Sequence, residues 1–330
     1  MARVAVIQGG PSSEAAVSRV SARAVGDALS VAGHAPTLLE LGHALPGELA
    51  HGAYEAVFPV VHGALGEDGC LQGLLEILDL PYVGSGVLAS ATAMDKHRSK
   101  QLFQRDGLPL ADDVLARRGD DPLAAAVRAR SLLGRGVVVK PVTQGSALGV
   151  TVLSAAATDD DVARALENAF QYDDLVLIER FIAGRELTCG VTDVDALGGA
   201  RALPPTEILP DTAVFYDFQA KYGTGGSRHV CPAQLPPGLS DRIQAIALTA
   251  HRLLGCRDLS RADFVLGEGP DEGTLVLLEV NTMPGMTSTS LYPEAMAQAG
   301  ISFTQMCDAF VMAALARPRR RAVPIPSMPA

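Results

Sequence analysis

The sequence predicts a mixed α/β protein in which a parallel sheet with packed helices opens the chain and two further units follow. Three observations carry this. Apolar, strand-like runs alternate near the start with helix-spaced segments, the rhythm that joins parallel strands through crossover helices. Polar, glycine-rich turns ("GGPSSE", "HGALGEDG", "GSG") fall where those strands end, the edge at which open α/β sheets place ligands. Late in the chain two strand-like segments, "RADFVLG" and "TLVLLEVN", are joined by the turn-rich "EGPDEG".

The first element, "RVAVIQGG" (3–10), is an apolar strand ended by a glycine turn. "SEAAVSRVSARAVGDALSVAG" (13–33) follows with helical spacing and a glycine at its end. "AVFPVVHG" (56–63) reads as another buried strand, "GCLQGLLEILDL" as a helix and "PYVGSG" as the next turn, so residues 1–95 form an N-terminal α/β unit. A central unit over 96–184 starts with the helical "MDKHRSKQLFQRDGLPL" (94–110). It contains the strand "GVVVKPV" (136–142), the glycine-rich "TQGSALGV" (143–150) and the strand "VLIERFIAG" (176–184). A C-terminal unit over 185–316 holds "RELTCGVTD", the helix "SDRIQAIALTAHRLLG" (240–255) and the late hairpin. Its Pro-, Asp- and Gly-rich excursion over 204–238 is too long and polar for a simple connector and is expected to be an active-site lid.

A chain of 330 residues accommodates two or three units with full cores, and 48% apolar against 19% charged residues is a globular composition. The net charge of −10 excludes general nucleic-acid binding, which needs a basic surface. Arg317, Arg319, Arg320 and Arg321 cluster in a proline-rich stretch, so 317–330 is expected to be a solvated, flexible tail. The five cysteines form no CxxC pair and no Cys/His cluster, which fits free thiols in a reducing, cytoplasmic compartment. "MARVAVIQGG" reads as a first strand and not as a secretory signal, and no apolar run approaches the ~20 residues that span a bilayer, so no membrane partner is expected.

Within "LLEVNTMPGMTSTSL" (277–291), Glu279 and Asn281 interrupt a greasy strand. Side chains alternate across a strand, so these two are expected on one face and Leu278 and Val280 on the other. In "RADFVLG", Arg261 and Asp263 share a face in the same way. With Leu266 set beside Val276, Asp263 lies across from Glu279, and directly opposed Cβ atoms approach within about 4.5–5.5 Å. Carboxylates that close repel each other, and a divalent cation removes the conflict. Asp, Glu and Asn oxygens with room left for phosphate suit Mg²⁺; a half-exposed strand carrying surface charge is the plain alternative. Such a metal implies a phosphate partner, and "KPVTQGSALGV" offers a cradle. Lys140 ends a strand, and Gly145, Ser146 and Gly149 form a loop whose N–H groups can face phosphate oxygens. Alone it would be an ordinary turn, since it is neither a Walker A sequence nor a GxGxxG fingerprint.

"GGPSSEAAVS", "HGALGEDGCLQG", "MDKHRSK", "KPVTQGSALGV", "FYDFQAKY", "RADF" and "EVNTMPGMTSTSLYP" occur in the order found in the D-alanine–D-alanine ligases of the ATP-grasp superfamily. The chain resembles that family from about residue 3 to residue 315. The resemblance implies a three-domain ATP-grasp architecture, in which antiparallel sheets of the central and C-terminal domains clasp ATP. It implies a homodimeric enzyme that uses ATP and two Mg²⁺ (or Mn²⁺) ions to join two D-alanine molecules for peptidoglycan precursor synthesis. By resemblance Lys96 and Lys140 contact ATP phosphates beneath the loop of Gly145 and Ser146. Glu179, Arg180, Phe181, Ile182 and Glu186 line the adenine and ribose pocket. Asp263, Glu279 and Asn281 match the metal ligands.

A carboxylate is a poor acyl donor, so the first D-alanine's carboxylate is expected to attack the γ-phosphate and form an acyl phosphate, which the second D-alanine's amine then attacks. The tetrahedral intermediate needs oxyanion donors, and the resemblance assigns these to Arg261 and the Gly285 N–H. Glu14 suits the first substrate's ammonium and His62 its carboxylate. Ser290, the Leu291 backbone and Lys221 suit the second substrate's carboxylate. Tyr222, Ser146 and Glu14 resemble the family's hydrogen-bonded trio, any of which could deprotonate the amine or only orient its neighbours.

Two features depart from the family pattern: Ala147 stands where a second serine is common, and the tail after about residue 316 has no counterpart. "AKY" in the excursion resembles the dipeptide-forming members and not the relatives that use D-lactate. Competing readings are another ATP-grasp carboxylate–amine ligase (or a D-alanine–D-lactate or D-alanine–D-serine ligase), a nucleotide-binding regulatory module without turnover, and a dinucleotide-dependent oxidoreductase, whose GxGxxG spacing is lacking.

Overall fold

A computed structural model describes residues 1–134, 136–210, 227–287 and 289–318. Among these the strands form three sheets. The first is parallel, with β1 (Arg3–Gln8) between β2 (Ala35–Glu40) and β3 (Ala56–Pro59). Val4 to Ile7 of β1 are buried on both faces, as expected of the continuous apolar run of a central parallel strand. Helices α1 (Ala15–Val31), α2 (Leu45–His51) and α3 (Cys70–Ile77) supply its connections and cover. Ser18 of α1 ties two strand ends together: its Oγ accepts the Gly9 N–H at 2.8 Å and donates to the Val60 carbonyl at 2.5 Å. That staple sets the edge from which Glu14 and His62 project.

Helix α4 (Val87–Met94), which the sequence reading did not foresee, leads into α5 (Lys96–Arg105). Asp95 between them accepts the Arg98 N–H at 2.8 Å and caps α5. The four-residue spacing then stacks Lys96 and Lys100 on one helix face, and both are buried.

The second sheet is antiparallel in the order β4–β7–β5–β6, built from β4 (Asp113–Arg117), β5 (Val137–Pro141), β6 (Thr151–Leu153) and β7 (Leu175–Arg180). Helices α6 (Pro122–Leu133) and α7 (Asp159–Ala169) cover one face, where Val137, Val139, Val176 and Ile178 meet Val162 and Leu166. Alternation sends Val138, Lys140 and Glu179 to the other face.

The third sheet runs β11–β10–β8–β12–β13, with β9 beside β8. Its strands are β8 (Gly184–Thr192), β9 (Arg201–Ala202), β10 (Thr206–Pro210), β11 (Ser227–Val230), β12 (Leu259–Gly267) and β13 (Leu275–Asn281), paired antiparallel. Helix α8 (Leu239–Leu254) packs behind it. The expected excursion over 204–238 thus contains two paired strands, and its residues 211–226 lie outside the described residues. Helices α9 (Leu291–Gln298) and α10 (Phe303–Ala316) return to the first sheet, where Phe310 meets Phe58 edge-on with centroids 6.5 Å apart. Burial of one such ring contributes roughly 1.5–3 kcal/mol.

The tail expectation needs correction at its first residue. Arg317 donates to the Tyr82 carbonyl at 2.8 Å and pairs with the buried Asp258 at 2.7 Å, so it belongs to the folded body. Among the described residues no single helix is long and apolar enough to cross a membrane; α9 and α10 together reach that length across a bend, with Tyr292, Met296, Phe310 and Val311 turned into the core.

Candidate active site

The second and third sheets face each other across a cavity of about 350 Å³. Its basic wall comes from α5, β5 and β7. Lys140 Nζ lies 2.5 Å from Glu179 Oε2, and Lys96 Nζ donates to the Gln144 carbonyl at 2.6 Å and lies 3.2 Å from Glu279 Oε2. Behind Glu179, Lys100 Nζ reaches Glu179 Oε1 at 2.6 Å, Asp113 Oδ2 at 2.7 Å and the Ala111 carbonyl at 2.8 Å. Burial would push Glu179 up, but the charges of Lys140 and Lys100 outweigh it and hold its carboxyl below the ordinary range. Burial would likewise lower Lys100, and Glu179 and Asp113 raise it instead.

The opposite wall is the β12–β13 ribbon. Asp263 sits directly across from Glu279, as the sequence predicts, but Leu266 pairs with Leu275 and not with Val276. The register shifts between Asp263 and Phe264, leaving Leu278 as an extra residue on β13. This bulge corrects the expected alternation. Leu275 and Leu277 enter the core with Val280, whereas Val276, Leu278 and Glu279 all line the cavity. One sheet face therefore changes from an apolar shelf (Val265, Val276 and Leu278, packed with Ile182) to an ionic one (Asp263, Glu279, Asn281).

Asp263 is held firmly. Arg261 grips it with two bonds, Nε to Oδ1 at 2.8 Å and Nη2 to Oδ2 at 2.7 Å. Thr188 donates to Oδ1 at 2.6 Å and Asn281 Nδ2 to Oδ2 at 3.0 Å. Among the described residues no three His, Cys, Asp or Glu side chains gather into a metal cluster by themselves. The donor set here is two opposed carboxylates plus the carbonyl oxygen of Asn281, whose amide nitrogen is already committed to Asp263. Few, hard oxygen ligands suit a Mg²⁺ that takes its remaining ligands from phosphate and water.

The glycine-rich loop lies at one end of the cavity, with Gln144, Gly145, Ser146 and Ala147 on its lining. Ser146 and Ala147 have φ of 50° and 56°, a left-handed conformation costly for residues with a Cβ. Gly149 has φ 71°, and a Cβ there would meet Tyr172 at 2.7 Å. Ser146 Oγ donates to Glu14 Oε1, joining the loop to the N-terminal sheet. A Cβ at Gly63 or Gly145 would stand 3.6 Å from Glu14 Oε2, so both loops converge on this buried carboxylate.

His62 is buried nearby, its Nε2 without a hydrogen-bond partner among the described residues. Burial lowers its pKa, against the pull of Glu14 and the Met283 backbone. Glu67, which accepts the Gly63 N–H at 2.6 Å, is raised to about 8 by burial and by the negative charge of Glu14. The sequence reading passed over Glu67, Thr188 and Lys100.

Past β13 the chain turns so that a Cβ at Gly285 would lie 2.7 Å from Ser290 Oγ, so a side chain there would displace that hydroxyl. Ser290 Oγ accepts the Thr287 N–H at 3.0 Å, and Leu291 opens α9 with its side chain against the cavity. The residues expected to form an adenine and ribose pocket, Glu179, Arg180, Phe181, Ile182 and Glu186, all line the cavity, although the Arg180 guanidinium is turned to Asp271. Lys221 and Tyr222 lie outside the described residues.

A sequence profile described as "D-ala D-ala ligase C-terminus" matches residues 102–312, and one described as "D-ala D-ala ligase N-terminus" matches 43–85. The D-alanine--D-alanine ligase of Gluconobacter oxydans (strain 621H) is 46% identical over 323 residues, covering 96% of this chain and 100% of that one. That of Rhodospirillum rubrum is 45% identical, covering 93% and 99%. Among solved structures, a D-alanine--D-alanine ligase from Bacillus anthracis is similar at TM-score 0.81 and 30% identity, over 96% and 98% of the two chains. The same organism's ligase complexed with ATP is similar at TM-score 0.78 and 28% identity.

Proposed function

The chain belongs to the D-alanine–D-alanine ligase family, and on that premise we propose how its own residues divide the work. The enzyme binds ATP and joins two D-alanine molecules into D-alanyl-D-alanine, a peptidoglycan precursor. The observation that carries the residue assignments is the single cavity face on which an apolar shelf runs directly into the Asp263–Glu279–Asn281 cluster, opposite Lys96 and Lys140.

Adenine rests on the shelf of Val265, Val276, Leu278 and Ile182, and Glu186 accepts the ribose hydroxyls. Lys96, Lys140 and the N–H groups of the Gly145–Ser146 loop take the phosphates. Asp263, Glu279 and Asn281 would hold Mg²⁺ or Mn²⁺, which when bound neutralises phosphate charge. Glu14 receives the ammonium of the first D-alanine and His62 its carboxylate. Burial favours the neutral imidazole, which can still donate one N–H to that carboxylate. The first substrate's carboxylate takes the γ-phosphoryl group to give an acyl phosphate, and the second substrate's amine displaces phosphate. Arg261 and the Gly285 N–H face the oxyanion of that step, with Ser290 and the Leu291 N–H on the second carboxylate. The same reading assigns Lys221 and Tyr222, which lie outside the described residues, to the second substrate.

A homodimer is part of the reading, supported by Ile77 and Leu88, which stand 83% and 78% exposed on the adjoining α3 and α4. A cytoplasmic site of action is supported by five free thiols. The decisive experiment is a coupled ADP-release assay with ATP, Mg²⁺ and each amino-acid enantiomer, with product identified in the presence of D-lactate. ADP release dependent on D-alanine with a dipeptide product is expected; a dominant ester product, or indifference to D-alanine, overturns the assignment.

A further inference from the structure

We propose that Lys100 is a positioning residue of the nucleotide site: it keeps the buried Glu179 carboxylate compensated and in place, so that Lys140 can give its charge to phosphate. The proposal rests on the reading above, in which Lys140 meets the phosphates of ATP.

The two oxygens of Glu179 are divided between two lysines. Oε2 faces Lys140 at 2.5 Å and Oε1 faces Lys100 at 2.6 Å. The lysines differ in what else they do. Lys140 lines the cavity, so its ammonium is reachable by a ligand. Lys100 stands behind it, and its three N–H donors match three acceptors: Glu179, Asp113 and the Ala111 carbonyl. It therefore has no donor left for a ligand and acts only through its neighbours.

A phosphate oxygen beside Lys140 competes with Glu179 for one ammonium. Were Lys140 the carboxylate's only counter-ion, every gain at phosphate would be offset by a poorly compensated charge on a side chain only 4% exposed. Lys100 removes that conflict. Held by β4 through Asp113 and by α5 through its own backbone, it supplies a fixed positive charge on the far side of Glu179. A plain structural brace would have the same contacts but a different signature, since its loss would weaken the fold and both substrates alike.

The test compares the full-length protein with Lys100→Met, Lys100→Arg, Glu179→Gln and Lys100→Met/Glu179→Gln. It measures calorimetric binding of a non-hydrolysable ATP analogue with Mg²⁺, and KM for ATP and for D-alanine. Lys100→Met is expected to weaken nucleotide binding by about 10- to 100-fold while KM for D-alanine stays within about twofold, and Lys100→Arg recovers part of the loss. In the Glu179→Gln background the same Lys100→Met change costs less than about threefold, because the buried carboxylate beside Lys140 is gone and the remaining partner, Asp113, is partly exposed to solvent. Equal losses in the two backgrounds, or parallel losses for ATP and D-alanine, overturn the proposal in favour of a brace. If Lys100→Met does not fold, Lys100→Gln in the same two backgrounds carries the test. Lys140→Met separates the premise from the inference. Unchanged nucleotide binding in that variant removes Lys140 from the phosphates, and the proposal with it, whatever coupling joins Lys100 and Glu179.

Discussion

Glu179 lines the cavity and Glu67 lies near enough to feel Glu14, Arg261 and Glu279, and the protein drives the two carboxyl groups in opposite directions. Glu179 lies between Lys140 and Lys100, which overcome its burial and keep it ionised. Glu67 is also desolvated, but its charged neighbour of consequence is Glu14, and its pKa rises to about 8. Glu179 is buried and Glu67 half-buried, and desolvation raises both; the sign of the neighbour decides the outcome. The Glu179 side of the cleft is thus charge-balanced, whereas the Glu14–Glu67 side is rich in carboxyl groups, which on the reading proposed above meet a substrate ammonium.

The largest expected effect comes from Arg261, whose charge lowers Glu67 and whose guanidinium holds Asp263. Arg261→Ala is expected to reduce kcat by on the order of 10²–10³-fold. A turnover number near wild type would remove it from the chemistry. His62→Gln should raise KM for D-alanine by about tenfold or more while leaving nucleotide affinity unchanged, the loss of a hydrogen bond to a charged group. Similar losses for both ligands would mean that the two sides are not separate.

Glu67 tests the comparison through pH. Its folded pKa of about 8 lies above the unfolded value of 4.5, so the native state holds its proton where the unfolded state has released it. The associated stability is fully present below the unfolded value and is lost as pH rises through the folded one. The wild-type Tm should therefore fall between about pH 5 and 8 relative to Glu67→Gln, which cannot ionise. Parallel Tm curves for the two proteins across that range would show that Glu67 is an ordinary carboxylate. The smallest effect is expected outside the cleft: Arg317→Ala should cost about 1–3 kcal/mol by exposing Asp258 to burial without its partner, with kcat unchanged. Thermal melting and steady-state rates check both halves of that statement.

The opposition of Asp263 and Glu279 was legible because hairpin pairing and two-residue alternation are both written into residue order. The turning of Leu278 was not, since an extra residue in one strand leaves no compositional trace. Lys100 follows Lys96 by one helical turn, a visible cue, yet a lysine on a helix ordinarily means solvent. Glu67 hid in "HGALGEDG" as turn polarity, and β10 and β11 hid in a stretch whose Pro, Asp and Gly content argues for loop. Helix α7 was announced by its Thr158–Asp161 capping box, a signal the periodicity reading overlooked. Arg317 was missed because a run of arginines beside prolines resembles a tail until a buried aspartate is seen to receive the first of them.

The bulge at Leu278 acts as a change of parity in β13. Strike that residue out and the remainder still reads inward, outward, inward without a fault: Leu275, Leu277 and Val280 to the core, Val276, Glu279 and Asn281 to the cleft. The insertion is therefore separable: on the reading proposed above it adds a platform for a flat aromatic group to a ribbon whose acidic face is laid out without it. A chain lacking Leu278 should keep its fold and its acidic grip while binding adenine nucleotides less tightly, and undiminished affinity for ATP would count against this account.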